Sequence, residues 1–342
     1  SPNPLDTEIG SGCEKYREGT HDCVIAIGGG SAMDGGKAIC LTANNEFDLW
    51  DFEYEKKPPE IDTKLYPFPK LITIPTTAGT GAETESTAMI THTNKGMKFC
   101  IFHPKLKPDL AILDPVLTLN LPLNLTAWTG TDALTHAIEA FLVPGFHPTC
   151  DAMALEALSL ISKWLPVVYE DPQNLNARSG MLVGSCLAGV SFLKGLGLVH
   201  AISHMIGAEY NTQHGLTNAI ILPTVLRFNL PGMEEKVSRM SQSMNLTDNS
   251  ISGFIGNTET LLNRLEIPKS LSEIGIPINC SKRIAEKALI DSAAATNPRK
   301  ASALELENLI KQSIAALVTN YYNGKDKKSN LLTYVHILDI KA

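Results

Sequence analysis

The sequence predicts an α/β nucleotide-binding region followed by a helical domain, and three observations carry that prediction. An apolar run, Cys23-Val24-Ile25-Ala26-Ile27, ends directly in Gly28-Gly29-Gly30-Ser31. A second run, Lys70-Leu71-Ile72-Thr73-Ile74-Pro75, ends in Thr76-Thr77-Ala78-Gly79-Thr80-Gly81. Strands that close on small-residue loops are the mark of a sheet that offers its backbone to a ligand. From about Leu121 onward, helix-length apolar spacing takes over.

The elements follow in order. Residues 23–27 form a strand, and 32–42 continue from the glycines with helical composition. Residues 70–75 form the second strand. Ala88-Met89-Ile90-Thr91 and Lys98-Phe99-Cys100-Ile101-Phe102 pair about the turn Asn94-Lys95-Gly96, and Leu110-Ala111-Ile112-Leu113 adds one more strand. Helices are expected over 127–142, 151–168, 176–192, 196–206, 217–228, 281–293 and 303–317, many of them separated by Pro or Gly. The boundary falls near Asp114-Pro115 to Pro122, giving a nucleotide-binding domain over 1–120 and a helical domain over 121–317. A charged break at 325–328 precedes an apolar run, and the tail 318–342 carries no readable role. No repeat or low-complexity tract is present.

Of 342 residues, 44% are hydrophobic and 19% charged, which suffices for a large core and is too apolar for long disorder. Twenty-nine basic against 36 acidic groups leave a charge of −7, and no long basic run occurs. Both facts argue against a nucleic-acid footprint or an anionic membrane surface, and favour small-molecule chemistry. The cysteines, at 13, 23, 40, 100, 150, 186 and 280, are odd in number and lack a Cys-x-x-Cys pair. Neither a disulfide framework nor a thiolate metal knuckle is indicated, and a reducing, cytoplasmic setting is expected. The opening Ser1-Pro2-Asn3-Pro4 has no secretory pattern, and Ser1 need not be the natural start. Residues 183–207 are long and apolar enough to imitate a membrane span, but they carry Lys194, His200, His204 and five glycines. They read as a buried, functional helix pair.

The strongest chemical constellation is Asp132, His136, His200, His204 and His214. Asp132 and His136 are four residues apart in Gly130-Thr131-Asp132-Ala133-Leu134-Thr135-His136, so on a helix both leave one face a turn apart, and His200 and His204 repeat that spacing. His214 follows just before the next helix. One carboxylate and three imidazoles suit Fe²⁺, Zn²⁺, Co²⁺ or Ni²⁺. Spacing alone leaves two readings open, a metal site and a set of satisfied core histidines. The Gly28–Ser31 glycines would let a diphosphate approach the start of a helix, though a plain turn also selects them. Asp34 and Lys37 fit either a ligand contact or a solvated helix face. The threonines and glycines of Thr76-Thr77-Ala78-Gly79-Thr80-Gly81 could hold phosphate or the cofactor ring, or serve turn chemistry alone.

In order along the chain stand Gly28-Gly29-Gly30-Ser31-x-x-Asp34-x-x-Lys37, Pro75-Thr76-Thr77-Ala78-Gly79-Thr80-Gly81-Ala82-Glu83, Gly130-x-Asp132-Ala133-Leu134-x-His136-x-Ile138-Glu139, Gly197-x-x-His200-x-x-x-His204-x-x-Gly207, His214-Gly215 and Asn218-Ala219-Ile220. Together these resemble the iron-containing (group III) alcohol dehydrogenase family from about Pro2 to Leu317. The resemblance implies a Rossmann-like N-terminal domain, an all-helical metal-binding C-terminal domain, and between them a cleft for NAD or NADP and a divalent metal. Family metal ligands fall on Asp132, His136, His200 and His214. His204 falls on a histidine near the substrate, and its imidazole is the candidate for passing the proton to solvent. Dinucleotide contacts fall on Gly29, Gly30, Ser31, Asp34, Thr76, Thr77, Thr80, Lys98 and Leu125, with Lys98 on a ribose. Family analogy favours a homodimer or larger homo-oligomer.

Three departures from the family pattern accompany the resemblance. The first βαβ unit that relatives carry is missing before Pro2-Asn3-Pro4, so 1–120 is expected to be a partial dinucleotide-binding domain, and the acidic residue that separates NAD from NADP would lie in that unit. Glu85 stands where the family often has Thr. The usual Phe-x-Asn is replaced by Ser191-Phe192-Leu193, followed by Lys194.

The implied activity is hydride transfer between an alcohol carbon and nicotinamide C4, with the metal as Lewis acid; Fe²⁺ is expected from the family, and Zn²⁺ would meet the same requirement. A rival enzyme reading is a hydroxyacid-oxoacid transhydrogenase or 4-hydroxybutyrate-type dehydrogenase, with Lys194 attracting the carboxylate. A more distant one is an inactive metal- or nucleotide-binding fragment.

Overall fold

A computed structural model describes residues 3–315 of the chain. The tail 318–342, and the end of the helix expected to reach residue 317, lie outside the described residues.

The N-terminal part begins with helix α1 (Asp6–Glu18), then strand β1 (Cys23–Gly28), helix α2 (Gly30–Thr42), β2 (Lys70–Pro75), the pair β3 (Thr87–His92) and β4 (Met97–Phe102), and a short β5 (Leu110–Ala111). Strands β1, β2 and β5 form a parallel sheet in the order β1-β2-β5, and β3 and β4 form a separate antiparallel pair. This is the expected α/β region. The last strand is shorter than expected because Asp114 caps a 3₁₀ turn at Pro115–Thr118 that takes the chain out of the sheet.

The register places Ile25 beside Ile72 and Ile72 beside Leu110, so these three side chains share one face of the sheet. Ile25 and Ile27 are 57% and 56% exposed, while Ala26 and Leu71, on the opposite face, are buried against α2. Among the described residues the sheet is therefore covered by a helix on one face only, and β1 is an edge.

The helical part comprises α3 (Leu123–Leu142), α4 (Pro148–Glu170), α5 (Leu175–Ser191), α6 (Leu198–Tyr210), α7 (His214–Asn229), α8 (Glu234–Ser243), α9 (Ile251–Arg264), α10 (Ser281–Ala288), α11 (Ser292–Thr296) and α12 (Ala303–Ile314). Its centre is α3, buried on every side from Thr129 to Leu142. Helices α4, α5 and α7 surround it, so its polar side chains as well as its apolar ones are shut away from water. The hydroxyls of Thr129, Thr131 and Thr135 bond to carbonyls four residues back, which satisfies polar groups with no water to meet them.

Three helices were not expected from the sequence: α1, α8 and α9. Each buries one narrow stripe, such as Ile9, Cys13 and Tyr16 on α1, beneath a largely polar surface. The single helix expected over 281–293 is two, because Asp291 leaves the helix to cap Ala293 with its side chain. The apolar stretch 183–207 is likewise not one span: α5, with the turn after it, and α6 are bent by 103°. By length and composition alone α4 could cross a membrane, but it packs between α3, α5 and α8.

All seven cysteines are free. Burial pushes the thiols of Cys13, Cys150 and Cys280 up, Cys40 and Cys100 to about 12, and Cys186 to about 11.

The two faces of the sheet should respond differently to substitution. Replacing both Ile25 and Ile27 by Ser is expected to change the unfolding free energy by less than about 1 kcal/mol, while Leu71→Ala should cost about 2–5 kcal/mol. Urea midpoints measure both, and a large loss in the double variant would mean that the exposed row is buried in solution.

Candidate metal centre and coenzyme cleft

Asp132 and His136 project from α3, His200 from α6, and His214 is the first residue of α7. One ligand atom from each lies within 4.8 Å of all the others. Asp132 Oδ1 is 3.9 Å from His136 Nε2, 3.8 Å from His200 Nε2 and 3.6 Å from His214 Nε2. The four elements converge because α7 starts hard against α3: a Cβ on Gly215 would sit 2.3 Å from the Trp128 carbonyl oxygen and 3.0 Å from Asp132 Cβ. Only glycine permits that approach, and it sets His214 beside Asp132.

The electrostatics leave the imidazoles neutral. Burial drives His136 down, His214 down to about 4, and His200 well below the ordinary histidine range, with neighbouring imidazoles adding to the effect at each. Neutral imidazoles present lone pairs, which is the form a metal requires. These lone pairs share one volume, since the Asn218 amide nitrogen is 2.7 Å from Asp132 Oδ1 and 3.1 Å from both His200 Nε2 and His214 Nε2. One carboxylate with three imidazole nitrogens fits a divalent transition metal.

Groups not singled out by sequence reasoning orient these four. Glu139, one turn beyond His136, accepts from the backbone amides of Gly197 at 3.0 Å and Val199 at 2.8 Å, and its Oε2 lies 2.6 Å from His200 Nδ1. With the His200 proton on Nδ1, its Nε2 lone pair faces the cluster. Burial raises the Glu139 carboxyl to about 7 against these donors. Asn297 Oδ1 accepts from the Leu198 amide at 3.1 Å, so the opening turn of α6 is held from two sides. Glu139 was visible in the motif, but its partners stand some sixty positions away.

His204 is a turn beyond His200 and is not one of the four clustered residues. Its ring stacks on His214 with centroids 5.5 Å apart, a quarter of its side chain is exposed, and its Nδ1 is 3.1 Å from Asp291 Oδ2. Phe192 packs on His136 with centroids 4.8 Å apart, closing the opposite flank. Lys194 is not free: its ammonium is 2.6 Å from Asp151 and its side chain is 4% exposed.

The other wall is built by the two small-residue loops at the C-terminal ends of β1 and β2. The Thr76 amide donates to the Gly28 carbonyl at 2.8 Å, which draws the loops together. A Cβ on Gly30 would lie 2.8 Å from Thr80 Cγ2, and one on Gly29 would lie 3.3 Å from Thr77 Cγ2. The glycines therefore leave a cradle that side chains would fill, at a helix start that no side chain caps. An anionic diphosphate suits that position.

Ser31 and Asp34 lie in the opening turns of α2, and Leu125 in the first turn of α3. Asp34 accepts from the Met89 amide at 3.1 Å, which ties α2 to β3. Lys98, on β4, is held below the ordinary lysine range by burial, with Asp34 opposing. The Lys98 charge adds slightly to the lowering of the His214 imidazole.

Residues 1–115 match the family profile described as iron-containing alcohol dehydrogenase, and residues 126–314 match its C-terminal domain. Over 320 residues the chain is 34% identical to the NAD-dependent methanol dehydrogenase of Bacillus methanolicus, covering 92% of this chain and 82% of that one. It is 34% identical to the 4-hydroxybutyrate dehydrogenase of Cupriavidus necator over 322 residues, 91% and 83% of the two chains. The crystal structure of a 1,3-propanediol oxidoreductase superposes with a TM-score of 0.87 at 34% identity, covering 92% and 82%.

The Glu139 contacts predict that Glu139→Gln weakens metal affinity roughly 10- to 100-fold, the usual scale for losing a carboxylate behind a metal-bound histidine. Competition against a chelator measures it, and wild-type affinity in a folded variant would remove Glu139 from the site.

Proposed function

The chain belongs to the iron-containing alcohol dehydrogenase family, and we propose from that membership which of its residues bind, orient and move protons in the reaction. The enzyme is an oxidoreductase that interconverts an alcohol with an aldehyde or ketone, using a metal and a nicotinamide coenzyme. The observation that carries the assignment of roles is the convergence of Asp132, His136, His200 and His214.

These four would hold the divalent cation, which supplies the Lewis acidity that makes the alcohol proton labile and polarises the carbonyl in reverse. Fe²⁺ is the proposed ion, from the family, and Zn²⁺ would serve the same chemistry. NAD is the proposed coenzyme, supported by the NAD-dependent relative. Gly29, Gly30, Ser31, Asp34, Thr76, Thr77, Thr80 and Leu125 would neighbour its diphosphate or nicotinamide, and Lys98 a ribose. His204, stacked on His214, oriented by Asp291 and reaching solvent, would carry the proton out. Phe192 would keep water from the His136 side.

The substrate we propose is a short uncharged alcohol. A 4-hydroxy acid would need a free cation for its carboxylate, and Lys194, the residue whose position suggested one, is neutralised by Asp151. The free thiols support a reducing compartment, and the family supports a homodimer or larger assembly.

His200→Ala or His214→Ala should lose both bound metal and turnover, since a four-residue site missing one member holds its ion weakly. Metal analysis and an assay of coenzyme reduction with short alcohols test this; full occupancy with unchanged turnover would refute the ligand set. His204→Ala should keep stoichiometric metal and lower kcat by about 10²-fold. Metal loss there would make His204 a ligand instead. In the wild-type enzyme, kcat/KM for short primary alcohols and diols should exceed that for 4-hydroxybutyrate, and the reverse order would restore the hydroxy-acid reading.

A further inference from the structure

One charged side chain of the helical part has no place in the roles above. Arg178, the fourth residue of α5, is 3% exposed. Its Nε donates to the Pro172 carbonyl at 2.9 Å, and its Nη1 donates to the Thr126 hydroxyl oxygen at 3.1 Å. Its Nη2 is buried and has no hydrogen-bond partner among the described residues. Burial alone moves its pKa, downward, with no contribution from a neighbouring charge. A guanidinium keeps its proton inside a protein, so Arg178 is a buried cation that no carboxylate among the described residues answers.

Two helix starts meet at the same place. Thr126 is the fourth residue of α3, and neither its first turn nor that of α5 contains an acidic residue. The positive ends of two helices therefore add to the guanidinium charge instead of opposing it. Arg178 and Thr126 line a small cavity together with Ala78 of the threonine loop, Thr118, Thr129 and Met181. Its volume of about 10 Å³ is room for a single water or one small ion. The Thr118 and Thr129 hydroxyls give their protons to the Pro115 and Leu125 carbonyls. The Thr126 hydroxyl accepts from Arg178 and keeps its own proton to donate.

We propose that this cavity binds one small inorganic anion, of the size and charge of chloride, held by Arg178 Nη2 and the Thr126 hydroxyl. A water there would accept both hydrogen bonds but leave the buried charge unanswered. A monovalent anion accepts the same bonds and neutralises the charge, which is the larger of the two needs in a dry interior. Bulkier oxyanions do not fit the volume. The site lies beneath the threonine loop, because Ala78 forms part of its wall and a Cβ on the adjacent Gly79 would sit 2.5 Å from Thr129 Cβ. The anion thus ties the starts of α3 and α5 to that loop, and its binding adds to the stability of the folded chain.

Urea unfolding of the full chain tests the site in solution, with sodium chloride replacing sodium gluconate at constant ionic strength, since gluconate is too large to enter. The wild-type midpoint should rise with chloride, following a folding constant that grows about tenfold for each tenfold rise in chloride above its Kd. In Arg178→Gln the response should vanish. Wild-type crystals soaked in sodium bromide give a second reading that needs no variant to fold, and an anomalous peak beside Arg178 Nη2 is expected. A cavity that holds water without anomalous signal overturns the proposal. So does a wild-type midpoint that chloride leaves unmoved, or a chloride response that survives undiminished in Arg178→Gln.

Discussion

The buried carboxylate of Glu139, at the heart of the helical bundle, sets the arrangement on which the site depends. Glu139 can remain in the interior only if its oxygens are met by donors, because an unpaired buried charge is among the costliest things a fold can contain. The donors are two amides at the start of α6 and the His200 imidazole. Where α6 begins, how His200 is turned and which nitrogen it offers are thus one decision. Gly197 shares in it, since a Cβ there would come within 2.7 Å of both Glu139 Oε1 and Asn297 Oδ1.

The loops proposed to hold the coenzyme are tied to the same core. Gly79 presses on α3 so closely that a Cβ would lie 2.5 Å from Thr129 Cβ, and its carbonyl acts on the His136 imidazole. A loop that borders the diphosphate cradle therefore also bears on a residue of the metal cluster. The β-sheet region and the helical region have separate hydrophobic cores, and the proposed chemistry would occupy the seam between them. Positioning across such a seam comes from these few close approaches.

Much of this was legible in the sequence because helix geometry converts spacing directly into direction. Asp132 with His136, and His200 with His204, had to share faces once their segments were helical. What spacing could not tell was which member of the second pair joins the cluster: His200 faces Asp132, while His204 turns to Asp291, a residue that lies in what the apolar pattern read as a continuous helix. The parts that escaped are of two kinds. Amphipathic helices such as α8 bury too narrow a stripe to raise the apolar signal. The supports of the site, Glu139 to His200, Asn297 to Leu198 and Asn218 to Asp132, are tertiary contacts between residues whose types are ordinary wherever they occur.

The buried thiols have a meaning beyond the absence of disulfides. An enzyme that releases aldehydes lives with a product that adds to sulfur nucleophiles, and the attacking species is the thiolate. With six of its thiols held above the ordinary cysteine range by burial, three of them at about 11 to 12, the chain offers few anions for that addition. The packing that keeps these side chains dry thereby shields the catalyst from slow self-poisoning during turnover.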